Sequence, residues 1–174
     1  MSSEAKTAIS GPVSASAIRW LWISLLVIIA DQLSKLWIER NMVLGDTFAV
    51  LPVLDIVRAH NSGAAFSFLA DAGGWQRWVF SALAVGVSIG LVFWLRRLVL
   101  VTHRLLALGL TLILGGAIGN VIDRIEHGYV VDFVHAHWGA AYFAAFNVAD
   151  AAISVGAALV ILDAIFEGRR KQAA

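Results

Sequence analysis

The chain has 174 residues, of which 60% are hydrophobic and 14% are charged. Soluble domains usually have about 45–50% apolar and about 25% charged residues, so this composition predicts a protein that lies in lipid. The net charge of +1 is too small to indicate nucleic-acid binding, and the absence of cysteine excludes disulfides, thiolate nucleophiles and cysteine-ligated metals.

Four apolar segments are long enough to cross a bilayer, which takes roughly 17–25 residues of helix. In chain order they lie at about Ala17–Trp37, Trp78–Leu95, Leu105–Ile122 and Asn147–Phe166. The first is longer than the apolar core of a secretory signal, and no small-residue cleavage site follows it, so we expect it to be retained as an anchor. We therefore predict one four-helix membrane domain over residues 17–166, a disordered cytoplasmic tail at 1–16 and a second cytoplasmic tail at 167–174.

The placement of lysine and arginine predicts the orientation of the helices. Eight of the 13 basic residues lie on the side of the chain termini and five on the other side. Under the positive-inside rule both termini are then cytoplasmic, and the tryptophans near the helix ends fit an interfacial belt.

Two longer segments, at about 39–75 and 126–145, are then expected on the outer side as loops. The stretch Phe48–Arg58 is rich in Val, Ile and Leu and is interrupted by Pro52, which predicts short edge-type strands. Asn61-Ser62-Gly63 predicts a turn. The apolar character of the first loop indicates that it lies on the membrane surface.

Pairs of glycines with small-xxx-small spacing occur in two of the predicted helices. Gly86 and Gly90 form one pair, and Gly115 and Gly119 form the other. In lipid such pairs let helix backbones approach closely, so we predict tight helix packing at both.

Polar and ionisable side chains gather at one level of the predicted bundle. Three sets carry them: Asp31 with Lys35, Asn120 with Asp123 and Arg124, and Asn147 with Asp150. Spacings of three or four residues place each set on one face of its helix. Because the first and third helices run outward and the fourth runs inward, all three sets are expected near the outer interface, where Asp132 can join them. Charges at membrane depth are costly, which makes each a functional candidate.

Each of these sets also has a purely structural interpretation. The Asp31–Lys35 spacing fits an intrahelical ion pair with a snorkelling lysine. The Asn147–Asp150 spacing fits a helix N-cap and an acidic third residue, which taken alone is the better interpretation. Arg124 fits an ion pair made for packing, and Asn61 fits a plain turn.

The histidines do not indicate a metal site or a serine nucleophile. His135 and His137 are near Asp132, but no H-E-x-x-H helix frames them, so a surface position is favoured and no metal is predicted. Ser62 is near His60 without a G-x-S-x-G elbow, which excludes a serine hydrolase site. No cofactor is predicted.

Asp132 and Asp150 remain as carboxylates that are both expected at the outer interface. Two close carboxylates do not easily both ionise, so one keeps a proton while its partner is charged. The charged one can take a proton from water, and the neutral one can donate a proton to a carbonyl oxygen. Such a pair hydrolyses amides without a covalent intermediate, although the sequence alone only allows the two to meet.

Five motifs stand in order along the chain. They are Asp31-Gln32-Leu33-Ser34-Lys35, Asn61-Ser62-Gly63-Ala64-Ala65-Phe66-Ser67, Gly115 through Arg124, Val130-Val131-Asp132-Phe133 and Phe146-Asn147-Val148-Ala149-Asp150. Taken together they resemble the bacterial lipoprotein signal peptidases, also called signal peptidase II. The resemblance covers about Ile18 to Phe166.

The resemblance implies an all-α membrane fold of four transmembrane helices with a small periplasmic β-cradle and a surface helix. It implies an aspartic endopeptidase of the bacterial inner membrane, with its site near the periplasmic face. Such an enzyme removes the signal peptide from prolipoproteins by cutting before the diacylglyceryl-modified cysteine. The implied partners are this lipid-modified substrate and membrane lipids, with no nucleic acid, and the implied state is a monomer.

The resemblance also assigns the candidate site residues. Asp132 and Asp150 match the catalytic pair. The positions that match substrate-binding or site-supporting residues are Asp31, Lys35, Asn61, Gly63, Asn120, Arg124 and Asn147. We expect Asn61 and Arg124 to hold substrate carbonyls and Asp31 and Lys35 to brace Arg124 or the outer loop. The longer N-terminal tail and the stretch His135–Trp138 depart from the family pattern, but neither touches a motif residue.

Two other classes of protein remain open on the residues alone. A small proton-coupled carrier would use Asp31, Lys35 and Asp150 as a relay, but carriers place polar groups near the bilayer midplane on broken helices. An assembly subunit would use its glycines for packing, but it would not need carboxylates at one level.

Overall fold

The computed structural model describes residues 16–63, 74–100, 102–139 and 141–172, and these contain four long helices and a small sheet. The helices are α1 (Leu21–Asn41), α2 (Gln76–Arg97), α3 (Arg104–Glu126) and α4 (Val148–Gln172), and a 3-10 turn at Ala17–Trp20 leads into α1. The strands are β1 (Thr47–Leu51), β2 (Leu54–Asn61), β3 (Val130–Trp138) and β4 (Ala141–Tyr142). All four helices are long and apolar enough to cross a membrane, which confirms the predicted fold class.

The helices extend beyond the predicted apolar segments. In particular, α4 continues to Gln172, through most of the predicted tail at 167–174. Apart from Gly168, its last residues are Glu, Arg, Lys and Gln, which favour helix although they are not apolar. The predicted tail before Ser16 and the residues 64–73 of the outer loop, where the expected surface helix would have room, lie outside the described residues.

Helix α3 is the central helix of the bundle. In an apolar 18-residue stretch of α3, 67% of the residues are buried inside the protein, whereas in the corresponding stretches of the other three helices 11–22% are buried. A Cβ on Gly115 would lie 2.8 Å from the Ser24 carbonyl oxygen of α1, so the predicted close packing of α3 is confirmed. The same prediction for α2 was wrong. A Cβ atom added to Gly86 or Gly90 would meet no neighbouring atom of the described residues within 4 Å, because none of the described helices lies against this face of α2.

The four strands form one antiparallel sheet in the order β1-β2-β3-β4. Pro52 and Val53 form the turn between β1 and β2, where proline has no ladder hydrogen bond to donate. The predicted short strands are confirmed and β1 is an edge strand as expected, whereas β2 pairs on both sides, with β1 and with β3. The second outer segment is not only loop, because β3 pairs with β2 and places Asp132 opposite Ala59. This pairing joins segments about seventy residues apart, which sequence periodicity does not reveal.

The bundle has two contrasting ends. The sheet packs at one of them, which we call the sheet end, over a core of Ile38, Met42, Val131 and Phe133. At the opposite end an apolar core of leucines and alanines joins α2, α3 and the turn before α1. There the Ser16 hydroxyl donates to the Leu95 carbonyl oxygen over 3.1 Å, which holds the start of the first span against the end of α2.

Candidate active site

Asp132 lies on β3 at the sheet end and is only 2% exposed. Its Oδ1 accepts a hydrogen bond from Asn147 Nδ2 over 2.7 Å, and its Oδ2 accepts one from Asn61 Nδ2 over 3.0 Å. Burial raises the pKa of Asp132 to about 6, although the hydrogen bond from Asn61 opposes this, and the charge of Asp150 raises the pKa further. Asp132 therefore holds a proton through mildly acidic pH.

Asp150 lies in the first turn of α4 and is half-buried. Its Oδ1 accepts from Asn120 Nδ2 over 2.7 Å, and its Oδ2 accepts from the Asn147 backbone N–H over 3.3 Å. In return, the Asp150 backbone N–H donates to Asn147 Oδ1 over 2.9 Å. These reciprocal bonds form a capping box. The helix-cap interpretation of this pair is therefore right, and the same cap fixes the position of the Asp150 carboxylate.

Asn147 joins the two carboxylates. It is fully buried, and it donates to Asp132 through its side-chain amide and to Asp150 through its backbone N–H. The residue before it, Phe146, is hydrogen-bonded to Phe133 and Val134 of β3, which holds the start of α4 against the strand. Asp132 and Asp150 thus come from separate segments and meet at one asparagine.

Lys35 lies beside this centre and is 3% exposed. Its ammonium is 2.7 Å from Asp31 Oδ2 and 2.8 Å from Asp123 Oδ2, and it donates to Asn120 Oδ1 over 3.1 Å. The intrahelical Asp31–Lys35 pair therefore exists, but Lys35 does not snorkel.

The two acidic partners of Lys35 tie its cluster to the neighbouring segments. Asp31 Oδ1 accepts from the Ala149 backbone N–H of α4 over 2.9 Å. Asp123 Oδ2 accepts from the Val131 backbone N–H of β3 over 3.1 Å. These contacts connect Asp31 and Lys35 to α3, α4 and the strand of the outer segment. Of the two expected partners, Arg124 and the outer loop, the contacts favour the outer segment.

Arg124 lies at the edge of the centre. Its guanidinium donates to the Asn120 carbonyl oxygen over 3.2 Å, and its Cζ lies 5.7 Å from the centre of the Phe80 ring. Its Nε is buried and has no hydrogen-bond partner among the residues that the structure describes. Arg124 therefore keeps hydrogen-bonding capacity for a further group.

Asn61 and Gly63 form the predicted turn and serve the site as well. The Gly63 N–H donates to Asn61 Oδ1 over 2.9 Å, and Gly63 has a φ of +90°, where side chains are strained. A Cβ there would also lie 2.8 Å from the Phe80 ring. The Asn61 amide donates to Asp132, so this turn also contacts one of the two aspartates.

A family model described as Signal peptidase (SPase) II matches residues 23–166. The chain belongs to the signal peptidase II family. It is 54% identical over 150 residues to a lipoprotein signal peptidase of Shewanella woodyi, across 86% of this chain and 85% of that protein. It is 51% identical over 154 residues to one of Shewanella halifaxensis, across 88% and 90%.

Two solved structures titled as bacterial membrane enzymes share the fold. Each is 30% identical to this chain, with TM-scores of 0.73 and 0.70. The first match covers 87% of this chain and 90% of that chain, and the second covers 82% and 89%. As a member of this family with four spanning helices, the chain is a protease and a multi-pass bacterial membrane protein.

Gln32 is a polar residue beside the site that the sequence analysis missed. Its Nε2 donates to Asp123 Oδ1 over 2.8 Å and to Asp31 Oδ2 over 3.2 Å. It also reaches the Gly119 carbonyl oxygen over 3.3 Å. Gln32 thus contacts Asp123 Oδ1, the oxygen of the two carboxylates that neither Lys35 nor a backbone N–H contacts, and it adds a second contact to Asp31 Oδ2. Its position beside Asp31, inside the first motif, was the available signal.

The histidines near the sheet do not meet at the aspartate pair. The rings of His135 and His137 each lie 5.1 Å from the Tyr142 ring, and His137 Nε2 is 3.5 Å from Asp55. The ring of His60 stacks on Tyr129 at 3.7 Å, and burial lowers its pKa. These positions fit packing roles within the sheet.

One cluster at the opposite end was not predicted. The ligand atoms of His103, Asp163 and Glu167 lie within 4.8 Å of one another, beside the start of α3. The first turn of α3 contains no acidic residue, and no side chain caps it. The two carboxylates place negative charge at this helix N-terminus, which stabilises it.

Proposed function

We propose that this chain is an aspartic endopeptidase that removes the signal peptide from lipoprotein precursors, with Asp132 and Asp150 as its catalytic pair. The observation that carries the proposal is the shared contact of both carboxylates with the buried Asn147. Family membership supports the peptidase activity and the lipoprotein substrate. The cut before the diacylglyceryl-modified cysteine follows from the motif resemblance.

The chemistry requires one protonated and one ionised carboxylate. The ionised member takes a proton from a water molecule as the water oxygen attacks the scissile carbonyl carbon. The protonated member donates its proton to the carbonyl oxygen, which gives a neutral tetrahedral diol. When the carbon–nitrogen bond breaks, the proton taken from water passes to the departing amine, and the diol proton returns to the pair. Arg124, whose Nε has no partner among the described residues, is placed to hold a substrate carbonyl.

An apolar groove between α2 and α3 is a suitable place for the apolar part of the substrate. It has a volume of about 420 Å³ and is lined mainly by Val85, Ile89, Val92, Leu114, Ile118 and Val121. Val121 is the neighbour of Asn120, so the groove begins directly below the catalytic level. We propose that an apolar segment enters it laterally from the lipid.

We further propose that the sheet end faces the periplasm, that both termini are cytoplasmic and that the enzyme acts as a monomer in lipid. The eight-to-five distribution of basic residues supports this orientation. Trp22 and Trp94 are exposed toward the opposite end and Trp37, Trp75 and Trp78 toward the sheet end, as two interfacial belts require. Accessibility labelling of single cysteines introduced at Trp138 and at Thr102 in intact cells tests the orientation.

The catalytic assignment is tested with purified Asp132→Asn and Asp150→Asn in detergent and a synthetic diacylglyceryl prolipoprotein peptide. We expect both variants to bind the peptide and to lose cleavage by about 10³-fold or more, because neither can share a proton as the pair does. The matched control is Asp163→Asn, on the same helix as Asp150 but at the opposite end, and it is expected to cleave normally. Normal cleavage by either site variant would refute the assignment.

A carrier is the rival that the same preparation can exclude. In the described residues the buried charges form one group around the sheet and the start of α4, and none of them lies in the half of the bundle away from the sheet, so no polar path crosses the protein. We therefore expect liposomes that contain the protein to cleave the peptide without any proton flux. Flux that depends on Asp31 and Lys35, with no cleavage, would favour the carrier.

A further inference from the structure

The three side-chain amides around the catalytic pair each have a fixed polarity. An amide has a donor end and an acceptor end, and its neighbours decide which end points where. Two of the three are set by backbone N–H groups, which can only donate. The Gly63 N–H contacts Asn61 Oδ1, and the Asp150 N–H contacts Asn147 Oδ1. In both residues the nitrogen is thereby directed at Asp132.

Asn120 is the exception, because its oxygen faces a lysine and not a backbone N–H. Its Oδ1 accepts from Lys35 Nζ over 3.1 Å and from Asn147 Nδ2 over 3.2 Å. An ammonium has three N–H groups and no acceptor, so only an oxygen can face it. Asp31, Asp123 and Asn120 occupy the three donors of Lys35. The Asn120 nitrogen is therefore left to face Asp150 Oδ1, at 2.7 Å.

We propose that Lys35 is a positioning residue, which fixes the polarity of Asn120 and thereby holds Asp150 as the ionised, water-activating member of the catalytic pair. This inference rests on the proposed aspartic mechanism and assigns the roles within it. Asp132 is then the member that carries the proton.

The two carboxylates differ in burial and not in the number of hydrogen bonds that they accept. Both oxygens of Asp150 accept, one from the Asn120 amide and one from the Asn147 backbone, and both oxygens of Asp132 accept from asparagine amides. Asp132 is only 2% exposed whereas Asp150 is half-buried, so the loss of water opposes a charge more strongly at Asp132. The Asp150 carboxylate also lies at the N-terminus of α4, where the helix dipole favours an anion. If Asn120 turned over, its oxygen would face Asp150 instead, and that contact would favour a protonated Asp150.

The other charges that act on the pair come from each neighbouring element. Arg124 of α3 interacts electrostatically with Asp150, Asp123 and Asp132. Lys35 of α1 also acts on Asp132, but as one cation between Asp31 and Asp123 its charge is more than balanced. The effect of Lys35 on Asp150 is therefore expected to pass through the orientation of Asn120.

The cost of the Lys35 cluster also argues for such a role. Burying a lysine and two carboxylates is expensive even when they pair, and apolar replacements often give equal or greater stability. Ionisable residues at membrane depth accordingly indicate function. Asn120 links this cluster to the site, because its oxygen contacts Lys35 and its nitrogen contacts Asp150.

The test uses two variants that release Asn120 in different ways, with the full chain in detergent. Lys35→Gln combined with Asp31→Asn removes one positive and one negative charge and so leaves the net charge of the cluster unchanged. Asn120→Leu removes the amide and leaves every charge in place. For both we expect kcat to fall about 10- to 100-fold, with KM changed less than about twofold. We expect the acidic limb of the kcat profile to move to higher pH by about one unit.

Two control variants separate positioning from support of the fold. Lys35→Arg keeps a group that only donates and is expected to retain the wild-type pH limb. Ser24→Ala removes a buried 2.7 Å bond from α1 to the Thr111 carbonyl oxygen of α3, away from the site. It is expected to lower the unfolding temperature without moving the pH profile.

The inference is overturned if both release variants keep the wild-type pH profile, or lose the same fraction of activity at every pH as a purely structural defect would. If the double variant does not fold, Asn120→Leu decides alone. Failure of the aspartic mechanism itself would look different, because Asp132→Asn and Asp150→Asn would then cleave normally.

Discussion

The two ends of the bundle are stabilised in opposite ways. At the end away from the sheet, the side chains of buried leucines such as Leu95 and Leu110 pack by apolar contact alone. At the sheet end, Lys35, Asn120 and Asn147 are buried and each is held by several hydrogen bonds or ion pairs. Apolar packing tolerates replacements of similar volume, whereas each polar contact depends on one particular partner. Substitutions at one end should therefore change stability, and substitutions at the other end should change catalysis.

Among substitutions that leave both aspartates in place, the largest expected effect comes from Asn147→Leu, which removes a donor to Asp132 and breaks the cap beside Asp150. Cleavage of the lipopeptide should fall by about 10³-fold, since removal of one catalytic donor alone costs 10²- to 10³-fold. Asn147→Ser can still cap α4 but does not reach Asp132 as asparagine does. It should restore helix content, measured by circular dichroism, without restoring cleavage. Substantial cleavage by the leucine variant would contradict the central place of Asn147.

Gly119→Ala and Gly109→Ala apply the same change at the two ends. A Cβ on Gly119 would lie 2.7 Å from Asp31 Oδ2, and one on Gly109 would lie 2.7 Å from the Gly156 carbonyl oxygen. Overpacking of this kind costs about 1–3 kcal/mol in either case. We expect the first variant to lose about 10- to 100-fold in kcat because it displaces the Lys35 cluster. The second should lose stability alone. Equal kcat values for the two folded variants would remove the contrast.

The pH dependence of wild-type cleavage follows from the pKa of Asp132, which is about 6. Because the mechanism needs this carboxyl protonated, kcat/KM should fall about tenfold per unit as pH rises above 6. Asn61→Ala removes a hydrogen bond that lowers this pKa, so it should move the basic limb to higher pH. A rate that is flat from pH 5 to pH 8 would contradict the protonated role of Asp132.

The smallest effect on catalysis is expected from Leu110→Ala in the core of the opposite end, where Leu110 is 1% exposed. The cavity should lower the free energy of unfolding by about 2–4 kcal/mol. In the fraction that stays folded, kcat and its pH profile should match the wild type. Chemical unfolding in detergent and steady-state kinetics on the same preparation measure both. A shifted pH profile in this variant would show that the two ends are not independent.

The level of the site could be predicted from the sequence, because helix spacing and direction place Asp31, Asn120 and Asp150 at one height. The contact that joins Asp132 and Asp150 through Asn147 could not be predicted from the sequence. It depends on the register that sets Asp132 opposite Ala59 and on the cap at Asn147, and neither leaves a periodic signal. The glycine spacing was ambiguous for a similar reason. It is the same in α2 and α3, but only α3 has helices on its small faces.

The capping box at the start of α4 makes one turn of helix responsible for both folding and chemistry. Unwinding that turn would carry the Asp150 carboxylate away from Asn120 although no catalytic atom had been altered. A peptide-like inhibitor that forms hydrogen bonds with the backbone around Asn147 would thus inactivate the enzyme by unwinding the first turn of α4, without competing with the substrate for the position of the scissile bond.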